Sequence, residues 1–224
     1  MENIAQVGQR LVIFVMEILL RFFLHLEVKG KENLQYLSSN AIFALNHISE
    51  LDGFKLPSAL HFWSKRLPIY YVAFQHKEYE KLRTWRSKYL YQDFFLKFFG
   101  AHAVSLGERN YEKTLATHIQ FLNEGKNVGL MPQGGISRGG NILEAKGGII
   151  ALVKATGKPV VPVTLTGDTD ISMKDFFSRK KKVTVIFGKL ISAEEILVGY
   201  EDAEPGQYAE IANERIMKKI YELY

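Results

Sequence analysis

The chain has 224 residues, 47% of them hydrophobic and 24% charged, which suits one compact globular domain and excludes disordered, collagen-like and coiled-coil classes. It contains no cysteine, so a disulfide framework, a thiolate zinc site and a cysteine nucleophile are excluded, and cytoplasmic exposure is the default expectation. The 29 Lys and Arg against 24 Asp and Glu give a formal net charge of +5, which suits anionic partners without choosing among phosphates, acidic lipid surfaces and nucleic acid.

Residues 11–26 form the most apolar stretch. Glu17 and Arg21 interrupt it, so it lacks the roughly 18 uncharged residues expected of a spanning helix. On a helical wheel Arg10, Glu17, Arg21 and His25 share one narrow stripe while apolar side chains fill the rest. Residues 1–26 are therefore predicted to form an amphipathic helix with a very wide apolar face. Glu17 and Arg21 stand at i and i+4 in the favourable order. Glu2 precedes any Lys or Arg and no small-residue cleavage site follows, which argues against a secretory signal. Two readings stand for this segment: an ordinary helix packed on the core, or a helix lying in the membrane interface.

Over residues 27–224, apolar β-rich runs at 41–45, 69–73, 101–105, 127–131, 159–165 and 183–187 alternate with helical segments. That alternation predicts an α/β domain with a central, mostly parallel sheet flanked by helices. The first run leads straight into Asn46-His47-Ile48-Ser49-Glu50-Leu51-Asp52, and strand ends are where sites form in such sheets. If Asp52 opens a helix, the turn returns its carboxylate to one nitrogen of His47 and leaves the other facing a cleft. A histidine is suited to take a proton from a hydroxyl near neutral pH, and a carboxylate partner fixes its tautomer and stabilises the imidazolium. The bland alternative is a helix-capping Asp beside a structural His.

Lys77 and Arg109 follow in the next two connecting segments as candidate cations, and His102 reads as a packed side chain rather than a second base. Residues 110–124 are the clearest helix, opening near Asn110 and closing at Gly125. After strand 127–131 comes Met131-Pro132-Gln133-Gly134-Gly135-Ile136-Ser137-Arg138-Gly139-Gly140, with four glycines around Arg138. Such a loop can hold an oxyanion or phosphate on its backbone N–H groups. It is no Walker loop, because no Gly-Lys-Ser/Thr ends it. Gly135-Ile136-Ser137-Arg138-Gly139 matches the nucleophile elbow literally, yet all six His residues precede Ser137, the reverse of the hydrolase order.

A helix over 147–156 is predicted to stop at Gly157-Lys158-Pro159. The run Arg179-Lys180-Lys181-Lys182 follows Phe176-Phe177; it reads as a solvated charged turn or as a loop on anionic head groups, at about 1 kcal/mol per cation near such a surface. No aromatic-interleaved strand, zinc finger or recognition helix accompanies this charge, so nucleic acid is not an expected partner. Residues 207–223 are predicted to form an amphipathic surface helix.

Three ordered blocks resemble the glycerolipid acyltransferases typified by lysophosphatidic acid acyltransferase, and the resemblance covers most of the chain. Asn46-His47-x4-Asp52 looks like the family's catalytic block, Met131-Pro132-Gln133-Gly134 like its Phe-Pro-Glu-Gly block, and Val160-Val161-Pro162-Val163 like its final Val-Pro-Val block. The resemblance implies a glycerol-3-phosphate acyltransferase-like fold. It also implies transfer of a fatty acyl group from acyl-CoA or acyl-carrier protein to a hydroxyl of a lysophospholipid-type acceptor, lysophosphatidate foremost, in phospholipid biosynthesis. His47 would be the general base and Asp52 its orienter. Asn46, Gln133, Gly134, Gly135, Arg138, Lys77 and Arg109 would contact substrate, and a backbone N–H of the glycine-rich loop would meet the oxyanion.

The resemblance implies no metal and no tightly bound cofactor. The partners it implies are a lipid surface, the lysolipid acceptor and the acyl donor, at the cytoplasmic face of a membrane. Gln133 departs from the family's Glu, Ile136 from its usual Arg, and Ser105 from an Arg after the earlier strand, with Arg138 and Arg109 as displaced substitutes. These departures keep open a non-phosphate acceptor, or a catalytically weakened lipid-binding protein on the same fold.

Overall fold

The computed structural model describes residues 2–74, 93–105, 110–137, 143–167 and 173–224. Among them the strands are β1 (Glu27–Lys29), β2 (Ile42–Leu45), β3 (Ile69–Phe74), β4 (Ala101–Val104), β5 (Asn127–Leu130), β6 (Val160–Thr166) and β7 (Thr184–Phe187). They form one sheet in the order β1-β7-β6-β2-β5-β3-β4. Every neighbouring pair is parallel except β6 with β7, so the mostly parallel sheet carries one reversed edge. All six predicted strands are present within a residue or so of their expected limits; β1 was not predicted, because three residues are too short to show a pattern.

At the centre lies β2, with Ile42 beside Val128 on one side and Val160 on the other. All four of its residues are buried. Ile42 and Ala44 face one core, and Ala41, Phe43 and Leu45 face another across the sheet. A strand covered on both faces reads as an unbroken apolar run, and this is why 41–45 showed no alternation.

The first core is closed by α4 (Tyr111–Thr114), α5 (Ala116–Asn123), α6 (Gly148–Thr156), α8 (Ala193–Leu197) and a C-terminal helical segment. That segment comprises α9 (Tyr208–Ile211), a π-helical turn (Ala212–Met217) and α10 (Lys218–Tyr221). The predicted helix 110–124 is broken at Leu115, whose carbonyl accepts from both His118 and Ile119 at 2.9 Å. Its cap is as expected, with the Asn110 side chain accepting from the Lys113 N–H at 3.0 Å.

The second core is closed by α1 (Glu2–Leu24), α2 (Asp52–Leu60) and α7 (Met173–Ser178), with α3 (Asp93–Phe98) against α1. Helix α1 docks through Ile13, Leu20 and Leu24 together with the buried Gln9 and Glu17. The Gln9 amide donates to Ile69 O at 2.8 Å and Phe99 O at 2.9 Å and accepts from Ile69 N at 3.0 Å. Arg10 donates to the carbonyls of Phe62, Ser64 and Leu67, and Glu17 bonds Arg21 at 3.0 Å. Much of the polar stripe therefore faces the domain, where it satisfies backbone groups at the start of β3 and in the preceding loop. Val7, Leu11, Phe14, Val15, Ile18 and Phe22 are left exposed along the opposite side.

Candidate active site

β2 ends at Leu45, and the next residues turn sharply before α2 begins at Asp52. The buried Asp52 carboxylate organises that turn. Its Oδ2 lies 2.8 Å from His47 Nδ1 and accepts from the N–H groups of Ile48 at 2.7 Å and Ser49 at 3.0 Å. Its Oδ1 accepts from Ser49 Oγ at 3.1 Å and from Lys55 Nζ at 2.5 Å. A carboxylate only accepts, so Nδ1 carries the hydrogen and Nε2 presents its lone pair. The His47 side chain keeps 20% of its surface exposed while Asp52 keeps none. Burial pushes the Asp52 carboxyl up, but the Lys55 ammonium and the hydrogen bond and charge of His47 outweigh it and hold the group at about 2. Asp52 is thus a fixed negative charge behind the imidazole.

The glycine-rich loop clamps the backbone of the same histidine. Gln133 Oε1 accepts from His47 N at 2.8 Å, and Ser137 N donates to His47 O at 2.7 Å. Gln133 Nε2 donates to Ser137 Oγ at 2.8 Å and to the Tyr221 hydroxyl at 3.0 Å. Asn46 Nδ2 donates to Leu165 O at 2.9 Å and to the Tyr224 hydroxyl at 2.8 Å, while its Oδ1 accepts from Leu165 N at 2.7 Å.

Asn46 and Gln133, expected as substrate contacts, are therefore buried and their amides are taken up by the protein, where they brace the loops from beneath. Gly134 turns in the left-handed region at φ +66 and its N–H donates to Met131 O at 3.0 Å. The next peptide, at Gly135, continues the turn. Arg138, Lys77 and Arg109 lie outside the described residues.

Four partners were not foreseen. Ser49 and Lys55 hold Asp52, and Lys55 could have been found as the one cation in the otherwise apolar Asp52–Leu60 helix, placed i+3 from the acid. Tyr221 and Tyr224, stacked with ring centroids 6.1 Å apart, reach Gln133 and Asn46 from the far end of the chain. No local pattern signals such a contact. The described residues contain no group of His, Asp and Glu able to hold a metal ion.

The arrangement can polarise a hydroxyl at His47 Nε2 beside a turn rich in peptide dipoles, in the manner of a base held by an acid. In comparisons with known proteins, the family described as Acyltransferase matches residues 25–166. No curated protein matches the chain. Among solved structures, the crystal structure of the 1-acyl-sn-glycerophosphate (LPA) acyltransferase PlsC from Thermotoga maritima is similar in fold. It has a TM-score of 0.58 at 19% sequence identity and covers 99% of this chain and 78% of that one.

Proposed function

The chain belongs to the acyltransferase family, and from that premise we propose that it transfers a fatty acyl group from a thioester to a hydroxyl of a lysophospholipid-type acceptor, with lysophosphatidate foremost. The observation that carries this reading is the 2.8 Å contact between His47 Nδ1 and a fully buried, ionised Asp52. It leaves Nε2 as the proton acceptor of a ring that is partly exposed. The similarity of the fold to PlsC, named as an acyltransferase for 1-acyl-sn-glycerophosphate, supports the choice of acceptor.

In the proposed step Nε2 takes the proton of the acceptor hydroxyl as its oxygen attacks the thioester carbonyl. Asp52 stabilises the imidazolium that forms. The Gly134 N–H is engaged by Met131 O, which leaves the following peptides of the turn to meet the oxyanion. Collapse expels the thiolate, which recovers the proton from His47, so no covalent enzyme intermediate and no added proton donor is required. The donor is acyl-CoA or acyl-carrier protein, and the step needs neither a metal nor a bound cofactor.

The proposed setting is the cytoplasmic face of a membrane. No helix among the described residues is long and apolar enough to cross one. Support for an interfacial role comes from the exposed apolar side of α1, which reaches the exposed Trp63 through the ring of Phe62 and the exposed Phe177 through the ring of Phe23. The basic run adjoins it: the Arg179 guanidinium lies 4.0 Å from the Phe22 ring centroid. An apolar strip bordered by cations suits an anionic bilayer surface.

Acceptor-dependent thiol release tests the reaction. Purified protein given an acyl thioester should release free thiol only when a lysolipid is added, and mass spectrometry should find the acylated acceptor. Release without acceptor would assign a hydrolase, and tight lipid binding without release a carrier. Comparing lysophosphatidate with acceptors lacking the phosphate reads the headgroup preference. Leu11→Glu with Ile18→Glu should lower sedimentation with anionic vesicles and leave thermal unfolding unchanged; unaltered sedimentation would refute the interfacial role of α1.

A further inference from the structure

Lys55 is one of the largest fully buried side chains of the protein, with no accessible surface. A wholly buried lysine is rare unless paired, and as a contribution to stability a buried ion pair is often no better than an apolar pair of the same volume. This one is paired with the acid that orients His47. Its Nζ lies 2.5 Å from Asp52 Oδ1 and 3.0 Å from Ser49 Oγ. Ser49 Oγ in turn donates to the same Oδ1 at 3.1 Å and accepts from Leu51 N at 3.2 Å. The two carboxylate oxygens thus have separate duties: Oδ1 serves Lys55 and Ser49, and Oδ2 serves His47 and two backbone N–H groups.

We infer that Lys55 is a positioning residue that sets the pH window of the His47 base, deepening the acyl-transfer reading on which it rests. The ammonium pairs with the Asp52 charge at Oδ1, so the carboxylate behind the imidazole is partly offset by a cation rather than standing alone. In a buried setting a cation one carboxylate away opposes protonation of the ring. The ammonium also fixes the carboxylate plane, so that Oδ2 cannot turn away from Nδ1.

Among the described residues, the other titratable groups that feel the Asp52 charge are the phenols of Tyr71 and Tyr224. Tyr71 from β3 is pushed well above its usual range by burial and by Asp52 itself, and Tyr224 is pushed up by burial, its bond from Asn46 working the other way. Both are neutral at physiological pH and hide no compensating charge. Glu50 belongs to the same loop, and the stem of Lys146 lies against Gly134.

The test follows the His47 ring by NMR in the full chain, without substrate, in the wild type, Lys55→Gln, Lys55→Met and Lys55→Arg. Gln keeps a donor for Oδ1 and loses the charge; Arg keeps the charge. In Lys55→Gln and Lys55→Met the ring should take up its proton about one pH unit higher, and the acidic limb of kcat/KM should move by the same amount. Lys55→Arg should titrate as the wild type does. An unmoved midpoint in a folded neutral variant overturns the assignment, and so does collapse of both neutral variants, which would make Lys55 a structural residue only. Because the titration needs no turnover, wild-type protein that fails to transfer an acyl group would refute the reaction and leave this result standing.

Discussion

Two imidazoles, one just past the end of β2 and one on α5, have been given opposite surroundings. His47 has an ionised carboxylate on Nδ1 and a partly exposed ring. His118 on α5 is fully buried; its Nε2–H faces Tyr71 O at 3.2 Å and its Nδ1 has no partner among the described residues. Burial pushes His118 down to about 4, the Tyr71 carbonyl opposing and His102 adding to the shift. Tyr71 links the two, because its carbonyl meets His118 while its phenol feels the Asp52 charge. On the proposed reading the same side chain serves as a base where it is given a carboxylate and an opening, and as an inert piece of core where it is given a carbonyl and a seal.

The sharpest way to break this contrast is to delete each ring in turn. His47→Ala should lower acyl transfer by about 10²–10⁴-fold in a protein that still folds, whereas His118→Leu should leave turnover intact above neutral pH. Equal loss of activity in both would erase the distinction. The next effect is on stability in acid. The folded pKa of His118 is depressed from 6.5 to about 4, so the native state resists protonation that the unfolded chain accepts. Stability is therefore full above about 6.5 and falls as pH drops toward 4, by about 3 kcal/mol in all. Urea denaturation across that range should show the loss, and His118→Leu should remove it.

Asp52 gives a smaller, later phase. Its folded pKa lies below the unfolded 3.8, at about 2, so its stabilisation is present above 3.8 and is lost as pH falls toward 2, by about 2 kcal/mol. Asp52→Asn should abolish that phase and keep the His118 phase. Smallest is His102→Phe. It removes the second ring near His118, 6.2 Å away between centroids, and should raise the His118 midpoint by about a few tenths of a pH unit.

What could be read from the residues alone followed the range of the interactions. The strands and their parallel arrangement were legible because apolar runs and glycine stops act locally; Gly157 ends α6 at φ +61, as its position suggested. The His47–Asp52 contact was legible because one turn joins the two residues. The direction of α1 was not. A helical wheel sorts side chains by polarity, but Gln9, Arg10 and Glu17 meet backbone groups that are distant in the chain, so the stripe turns toward the domain. The roles of Asn46 and Gln133 were hidden for the same reason. Their partners Leu165, Tyr221 and Tyr224 are separated from them by 119, 88 and 178 positions, and no motif carries that information.

Helix α1 packs directly on α2, and α2 begins with Asp52. The apolar strip and the acid behind His47 therefore sit on two helices in direct contact. A molecule resting on a bilayer by that strip would carry its reaction centre at a set altitude, on the order of one helix diameter, about 10 Å. On the proposed reading it would gauge how far a head group stands above the acyl chains, and would discriminate among lipids by stature before it touched their chemistry.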